Sequence, residues 1–181
     1  MIKTMDNYVS RYVSPLGCIT LASDGKFLVG LWLEGQEDGR ESLKSSPMEK
    51  ELPVFVQTKK WLDLYFAGEE PKFVPPLKLC DSPFRKRVQE IMLEIPYGKT
   101  MTYGEIAKII AKEKGVERMS AQAIGGAVGH NTISIIVPCH RVVGSNGSLT
   151  GYGGGIDKKI QLLQIEKVDM SHLFDPRKAT R

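Results

Sequence analysis

Residues 102–131 read TYGEIAKIIAKEKGVERMSAQAIGGAVGHN. Thr102, followed three residues later by Glu105, has the spacing of a capping box, so a helix begins there. Ile106, Ile109 and Ile110 then recur at helical intervals. Lys112 to Met119 is a charged loop by composition. Ser120 can cap a second helix, AQAIGGAVGHN, which is unusually rich in small residues. Two short helices joined by a turn form the pattern of a helix-turn-helix, and this stretch makes the second half of the chain mainly helical.

Upstream, Asp81-Ser82-Pro83 starts another helix, with proline early, where its missing N–H is no loss. Phe84, Val88, Ile91, Met92 and Ile95 give this helix one apolar face, and Pro96-Tyr97-Gly98 ends it. PKFVPP, residues 71–76, is stiff and proline-rich, a linker or boundary strand. The first third reads differently. YVSRYVS, CITLAS and FLVGLWL are short runs rich in β-branched and aromatic residues, separated by Pro15-Leu16-Gly17 and Asp24-Gly25-Lys26 as hairpin turns would separate them. Gly35 to Ser46 is a polar loop. LPVFVQTKKWLDLYFAG fits a helix stopped by Gly68.

Downstream, Ile135–Gly144 reads IIVPCHRVVG, a strand-like run ending in a Pro-Cys-His-Arg turn. The glycine-rich loop GSNGSLTGYGGG follows, then a last helix from about Asp157 through IQLLQIE, then a polar tail after Asp169 that is expected to be loosely held. The fold class is α/β of the α+β kind. It comprises a small N-terminal αβ domain with an antiparallel sheet (residues 1–76) and a mainly helical C-terminal domain carrying the helix-turn-helix and an active-site loop (residues 77–170), with residues 171–181 as a tail.

The chain has 181 residues, a net charge of +4 and a pI near 8.9, which permits a polyanionic partner without demanding one. Three scattered cysteines, Cys18, Cys80 and Cys139, argue against a disulfide framework and for a reducing compartment. His130, His140 and His172 do not pair with them at zinc spacing, so neither a metal nor another cofactor is expected. The N-terminal stretch lacks a signal-peptide core and no apolar run reaches membrane-spanning length, so a cytoplasmic monomer with no membrane partner is expected.

Cysteine is a weak nucleophile as a thiol and a strong one as a thiolate, and a nearby base or cation raises the thiolate fraction. His140 is adjacent to Cys139, but on a strand the two side chains would point to opposite faces. The preceding proline favours a turn, in which both can face one cavity. A buried acid would then hold the imidazole in the right tautomer. From the residues alone, Glu166, Asp157 and Glu105 are all open for that role. A lone cysteine after an apolar run is more often core than nucleophile. Tyr103 alone reads as a packed ring, Asn131 as a helix cap and Glu166 as a solvated charge.

The order helix-turn-helix, Asn131, IIVPCHRVVG, GSLTGYGGG, KKIQLLQIE changes the weighting. From about Ser82 to Glu166 the chain resembles the O6-alkylguanine-DNA alkyltransferases (methylated-DNA–protein-cysteine methyltransferases), and the Pro-Cys-His-Arg-Val core is highly specific to them. The N-terminal third resembles that family only in general αβ character, which implies a ribonuclease-H-like domain there. The resemblance implies that Cys139 takes the alkyl group from O6 of guanine as a thioether, once per molecule. It implies that His140 takes the thiol proton through a water, that Glu166 holds His140, and that Asn131 orients the turn. Tyr103 would donate to the base at N3. The carbonyls of Cys139 and Val142 would read the exocyclic amine, and Gly153 N–H would face O6 with Tyr152 beside it. A Cys-His hydrolase would share the nucleophile but has no use for a helix-turn-helix.

The implied partner is double-stranded DNA carrying O6-alkylguanine, the lesion being rotated out of the stack from the minor-groove side. Ala121, Ala123, Gly125, Gly126 and Ala127 would let the second helix approach a narrow groove, although helix packing also favours small residues. Gln122 stands where most relatives carry an arginine that fills the gap left by the base, which implies weaker binding or slower flipping. Arg141 either anchors the active-site turn or reaches a phosphate. Lys99, Lys108, Lys112, Lys114 and Arg118 either contact the backbone of DNA or merely solubilise the surface.

Overall fold

The structure, a computed structural model, describes residues 7–36 and 47–178. Most of the expected Gly35–Ser46 loop therefore lies outside the described residues. The chain divides into two units, one formed by residues up to Leu79 together with Thr132–Ser134, the other by Cys80–Asn131 and Ile135 onward.

In the first unit, strands β1 (Tyr8–Ser14), β2 (Gly17–Ser23) and β3 (Leu28–Trp32) form an antiparallel meander, and the two-residue β4 (Met48–Glu49) adds parallel to β1, giving the order β3-β2-β1-β4. The turns have local chemistry. Ser14 Oγ accepts from Leu16 N at 3.0 Å, and Asp24 Oδ1 accepts from Lys26 N and Phe27 N at 3.0 and 2.8 Å. Helix α1 (Pro53–Phe66) packs on β1 and β2; its Phe55, Leu62 and Tyr65 are buried, as are Ile19 and Leu21 of β2.

The first unit runs to Leu79, a little past the division expected after residue 76. Leu28 N donates to Pro76 O and Lys78 N donates to Leu28 O, so the linker ends as a bridge on the free edge of β3. Residues 132–134 do the same one step along, Leu31 exchanging bonds with Thr132 O and Ser134 N. An edge strand left bare is a template for unwanted pairing, and both segments cover it.

In the second unit, α2 (Pro83–Leu93) and α3 (Tyr103–Lys114) both pack on α4 (Ala121–Gly129). The expected charged loop shortens, because Lys112–Lys114 complete α3 before Gly115 stops it at φ 65. The capping box forms in both directions, Glu105 N to Thr102 Oγ1 at 3.1 Å and Thr102 N to Glu105 Oε2 at 2.7 Å. Thr102→Ala should therefore cost about 1 kcal/mol, which urea unfolding monitored by helix signal would measure.

The strand-like IIV is corrected outright. Residues 134–137 form turns and bends, with Ile135 fully buried at φ 69. A β-branched residue there is strained by about 1–3 kcal/mol. The apolar run reads as a strand because burial, rather than alternation, selects its residues. Val142–Val143 form β6, which pairs in parallel with β5 (Met101–Thr102). Helix α5 (Ile156–Ile165) follows, with Glu166 as its C-cap. The described tail is held rather than loose. Leu149 N donates to Phe174 O, Phe174 N donates to Gly147 O, and Leu173 packs on the cluster of Val143, Leu149, Leu163 and Val168.

Candidate active site

Cys139–Arg141 forms a single 3-10 turn. At about three residues per turn, successive side chains diverge by about 120° rather than 180°, so Cys139 and His140 are not driven to opposite faces. Val137 O fixes the turn's entry, accepting from Cys139 N at 2.8 Å and from Asn131 Nδ2 at 2.9 Å. The pairing of β5 with β6 places the start of α3, and so Tyr103, beside the turn's exit. All three side chains of the turn are buried.

Glu166 is the centre of the charged cluster. His140 Nε2 bonds its Oε2, while Oε1 accepts from Arg141 Nε at 2.7 Å and Gly98 N at 3.1 Å. Burial would push this carboxyl up, but the hydrogen bond from His140 and the charge that ring gains on protonation, followed by the charge and hydrogen bond of Arg141, hold it down at about 2. His140 is shifted the other way from an ordinary ion-paired histidine. Complete burial lowers its pKa, and the charges of Arg141 and Lys159 add to that against the pull of Glu166. The imidazole is neutral at pH 7. It donates Nε2–H to Glu166, and the full positive charge facing the carboxylate is Arg141's. Nδ1 is then the basic nitrogen.

Lys159 of α5 is fully buried. Among the described residues its partners are two backbone carbonyls, Val142 O at 2.6 Å and Thr150 O at 2.9 Å. Burial lowers its pKa to about 8, against the opposing pull of negative charge at Cys139. Thr150 O also accepts from Tyr103 Oη at 3.2 Å. Burial and the same charge push that phenol up to about 12. Tyr103 lines an open cleft of about 510 Å³ together with Gly104, Ala121, Gln122, Gly125, Ser145, Thr150 and Gly151. At Gly151 (φ +74) a Cβ would sit 3.0 Å from Tyr103 Oη, so only glycine brings the loop this close.

The sequence-predicted residues sort as follows. Cys139, His140, Glu166 and Asn131 come together around the turn, with Tyr103 against the loop that Lys159 holds. Glu105 is spent on the capping box and Asp157 pairs with Arg177, which leaves Glu166 as the orienting acid. Asn131 lies one residue beyond the C-cap, His130, and bonds Val137. Arg141 as a DNA contact is corrected: it is buried, bonded to Glu166 and, through Nη1, to Ile95 O at 2.7 Å, and lies over the Tyr97 ring. It anchors the turn. The carbonyl of Cys139 accepts from Val142 N and that of Val142 from Lys159 Nζ. Tyr152 is buried and Gly153 exposed.

On α4, Ala121, Gln122 and Gly126 are exposed and Ala123 and Gly125 half-buried, while Ala127 packs inward. A Cβ at Gly125 or Gly126 would meet nothing, so helix packing does not demand those glycines. Lys99, Lys108, Lys112, Lys114 and Arg118 are exposed; Lys114 also lies over the Phe84 ring. The thiols of Cys18 and Cys80 are half-buried. The sequence reading missed Lys159 and Gln89. Each had a signal, a polar residue at a buried position of an amphipathic helix, Lys159 beside Leu162 and Leu163 and Gln89 beside Val88 and Met92.

A helix-turn-helix folded onto a buried cysteine that keeps a neutral, carboxylate-held imidazole places the molecule among cysteine-nucleophile proteins directed at nucleic acid. Residues 83–168 match the DNA binding domain of 6-O-methylguanine DNA methyltransferase, and residues 7–79 match its ribonuclease-like domain. The chain is 42% identical over 154 residues to the methylated-DNA–protein-cysteine methyltransferase of Mycobacterium leprae, covering 85% of this chain and 88% of that one. It is 39% identical to the Haemophilus influenzae protein of the same name, covering 89% and 87%. The Mycobacterium tuberculosis OGT in complex with DNA superposes with a TM-score of 0.76 at 41% identity, covering 88% of this chain and 92% of that one. The chain belongs to the 6-O-methylguanine DNA methyltransferase family.

Proposed function

We propose that this protein repairs O6-alkylguanine in double-stranded DNA by moving the alkyl group onto Cys139, once per molecule, acting as a cytoplasmic monomer. The observation that carries the reading is the buried Cys139–His140 turn with Glu166 held ionised behind the imidazole. His140, neutral, takes the thiol proton at Nδ1 through a water. Cys139 Sγ attacks the alkyl carbon, the S–C bond forms as the C–O6 bond breaks, and the electron pair stays on O6. The proton returns through solvent to the repaired guanine, which stays in its strand. Tyr103 keeps its own proton, given its raised pKa, and donates a hydrogen bond at N3. Asn131 orients the turn. The carbonyls of Cys139 and Val142, the Gly153 N–H and the Tyr152 ring frame the base. A thioether resists hydrolysis, so the sulfur is not regenerated.

A guanine inside the duplex offers no in-line path, so the nucleotide is extruded toward the cleft beside α4 at a cost of a few kcal/mol. The open face of Ala121, Ala123, Gly125 and Gly126 lets that helix approach a narrow groove. Gln122, exposed at the cleft, enters the gap without a charge. Gln122→Arg should tighten duplex binding, speed transfer, and steepen the salt dependence by about one counter-ion. Titration of affinity against salt for both proteins checks this. The proposal as a whole is tested by incubating the protein with an O6-methylguanine duplex and weighing the Cys139 peptide. One methyl gained per molecule is expected; an unmodified peptide and an unrepaired duplex would end the reading.

A further inference from the structure

Gln89 is a polar side chain buried on the apolar face of α2, 1% exposed. A buried amide left without partners is costly, and this one has a definite set. Its Oε1 accepts from Cys80 N at 2.8 Å, which leaves Nε2 to donate to Asn131 Oδ1 at 3.1 Å. The polarity then propagates. With Oδ1 occupied as an acceptor, Asn131 must present Nδ2 to Val137 O, at 2.9 Å, and Val137 O is also the acceptor for Cys139 N at 2.8 Å. An asparagine amide can flip by 180° at little steric expense, and only its neighbours decide which end faces which way. Cys80 N, which can only donate, starts the chain. Each amide after it is forced into one orientation, and the last bond sets the carbonyl that holds the nucleophile's backbone.

We propose that Gln89 is a positioning residue for the transfer reaction, acting through the orientation of the Asn131 amide on the Val137 carbonyl and so on the placement of Cys139. The proposal rests on the alkyl-transfer reading and adds to it a residue that touches neither DNA nor the reacting atoms. Its position outside the cleft means that it should govern the rate of transfer and leave duplex binding alone.

The test is a double-mutant cycle on single-turnover transfer at saturating O6-methylguanine duplex, using wild type, Gln89→Met, Asn131→Ala and the double variant. Gln89→Met should slow transfer about tenfold, in line with the sensitivity of in-line attack to small misplacements. The same substitution should change the rate less than about twofold in the Asn131→Ala background, because its route to the sulfur is already cut. Duplex affinity of Gln89→Met should match wild type. Gln89→Glu, which keeps the shape but opposes an acceptor-only oxygen to Asn131 Oδ1, provides a second cycle if the methionine variant fails to fold. It should show the same dependence on Asn131. Equal losses in both backgrounds, or a loss confined to affinity, would overturn the proposal. If wild type itself leaves Cys139 unmodified, the functional reading has failed instead, and the two failures are separate.

Discussion

Glu166→Gln is expected to lose both stability and transfer, each by a large margin. The carboxylate accepts from His140 at one oxygen and from Arg141 and Gly98 at the other, and both of those side-chain partners are buried with it. Glutamine offers one oxygen. If that oxygen stays with Arg141 and Gly98, the NH₂ group faces His140 Nε2, and the imidazole can bond it only by moving its proton to Nδ1. The basic nitrogen is then the wrong one. Orienting an imidazole in the wrong tautomer removes most of what a general base supplies, about 10²–10⁴ in rate. If the oxygen instead turns to His140, the NH₂ opposes the Arg141 guanidinium. In both arrangements Arg141 stays buried with no full negative charge opposite it, and removing one partner of a buried pair costs about 3–5 kcal/mol. Thermal unfolding and single-turnover transfer measure the two losses. A variant that melts with wild type would show that Glu166 does not hold the turn.

The acid limb of stability carries the same signature. Glu166 titrates in the fold at about 2, below its unfolded value near 4.3. Its contribution is therefore complete above about pH 4.3 and is lost as pH falls toward 2. His140 is depressed as well, so the unfolded chain takes up that proton first and stability begins to fall below about pH 6.5. In Glu166→Gln the lower of these two phases should vanish.

Much of this arrangement was legible in the sequence, for identifiable reasons. Local rules sufficed where a few adjacent residues decide the outcome. Thr102 and Glu105 announced their capping box, Pro83 its helix start, and the β1–β2 and β2–β3 turns their hairpins. The strand assigned to IIV failed because an apolar run records burial and not backbone angle, and nothing local reveals that Ile135 sits at φ 69. The return of residues 132–134 to the edge of β3 was hidden for a related reason, since pairing across about a hundred residues leaves no periodic trace. The thiol and imidazole were visible as a dipeptide. Their acid was not separable from Asp157 or Glu105 until Arg177 and Thr102 were seen to occupy those two. Arg141 and Lys159 show the limit most clearly. A positive residue in a chain that meets DNA reads as a phosphate contact or a solvated charge, yet both of these are buried inside the site.

Lys159→Met should separate stability from reactivity. A lysine pKa lowered from 10.5 to about 8 means that the fold holds the protonated form at neutral pH against about 3 kcal/mol. Methionine removes that penalty and fills similar volume. In return it strands Val142 O, at about 1–3 kcal/mol, while Thr150 O keeps its bond from Tyr103. The terms offset, so stability at pH 7 should change by no more than about 2 kcal/mol. Alkaline pH breaks the balance in a known direction. Because the folded pKa lies below the unfolded one, wild type gains stability as pH rises from about 8 to 10.5 and the variant does not. Reactivity should move the other way. Negative charge at Cys139 favours protonated Lys159, and by reciprocity the ammonium favours the thiolate. Without it, alkylation of Cys139 at pH 7 should slow by about tenfold for each pH unit that the thiol's ionisation moves upward. Raising the pH should restore the wild-type rate, provided the Thr150 loop stays in place. Transfer measured against pH, beside melting curves at pH 7 and 10, resolves the two effects. A uniformly slow variant with an unshifted profile would reduce Lys159 to a clamp between two carbonyls, whereas a shifted profile on an equally stable protein would show that the fold carries this charge for the sake of the sulfur.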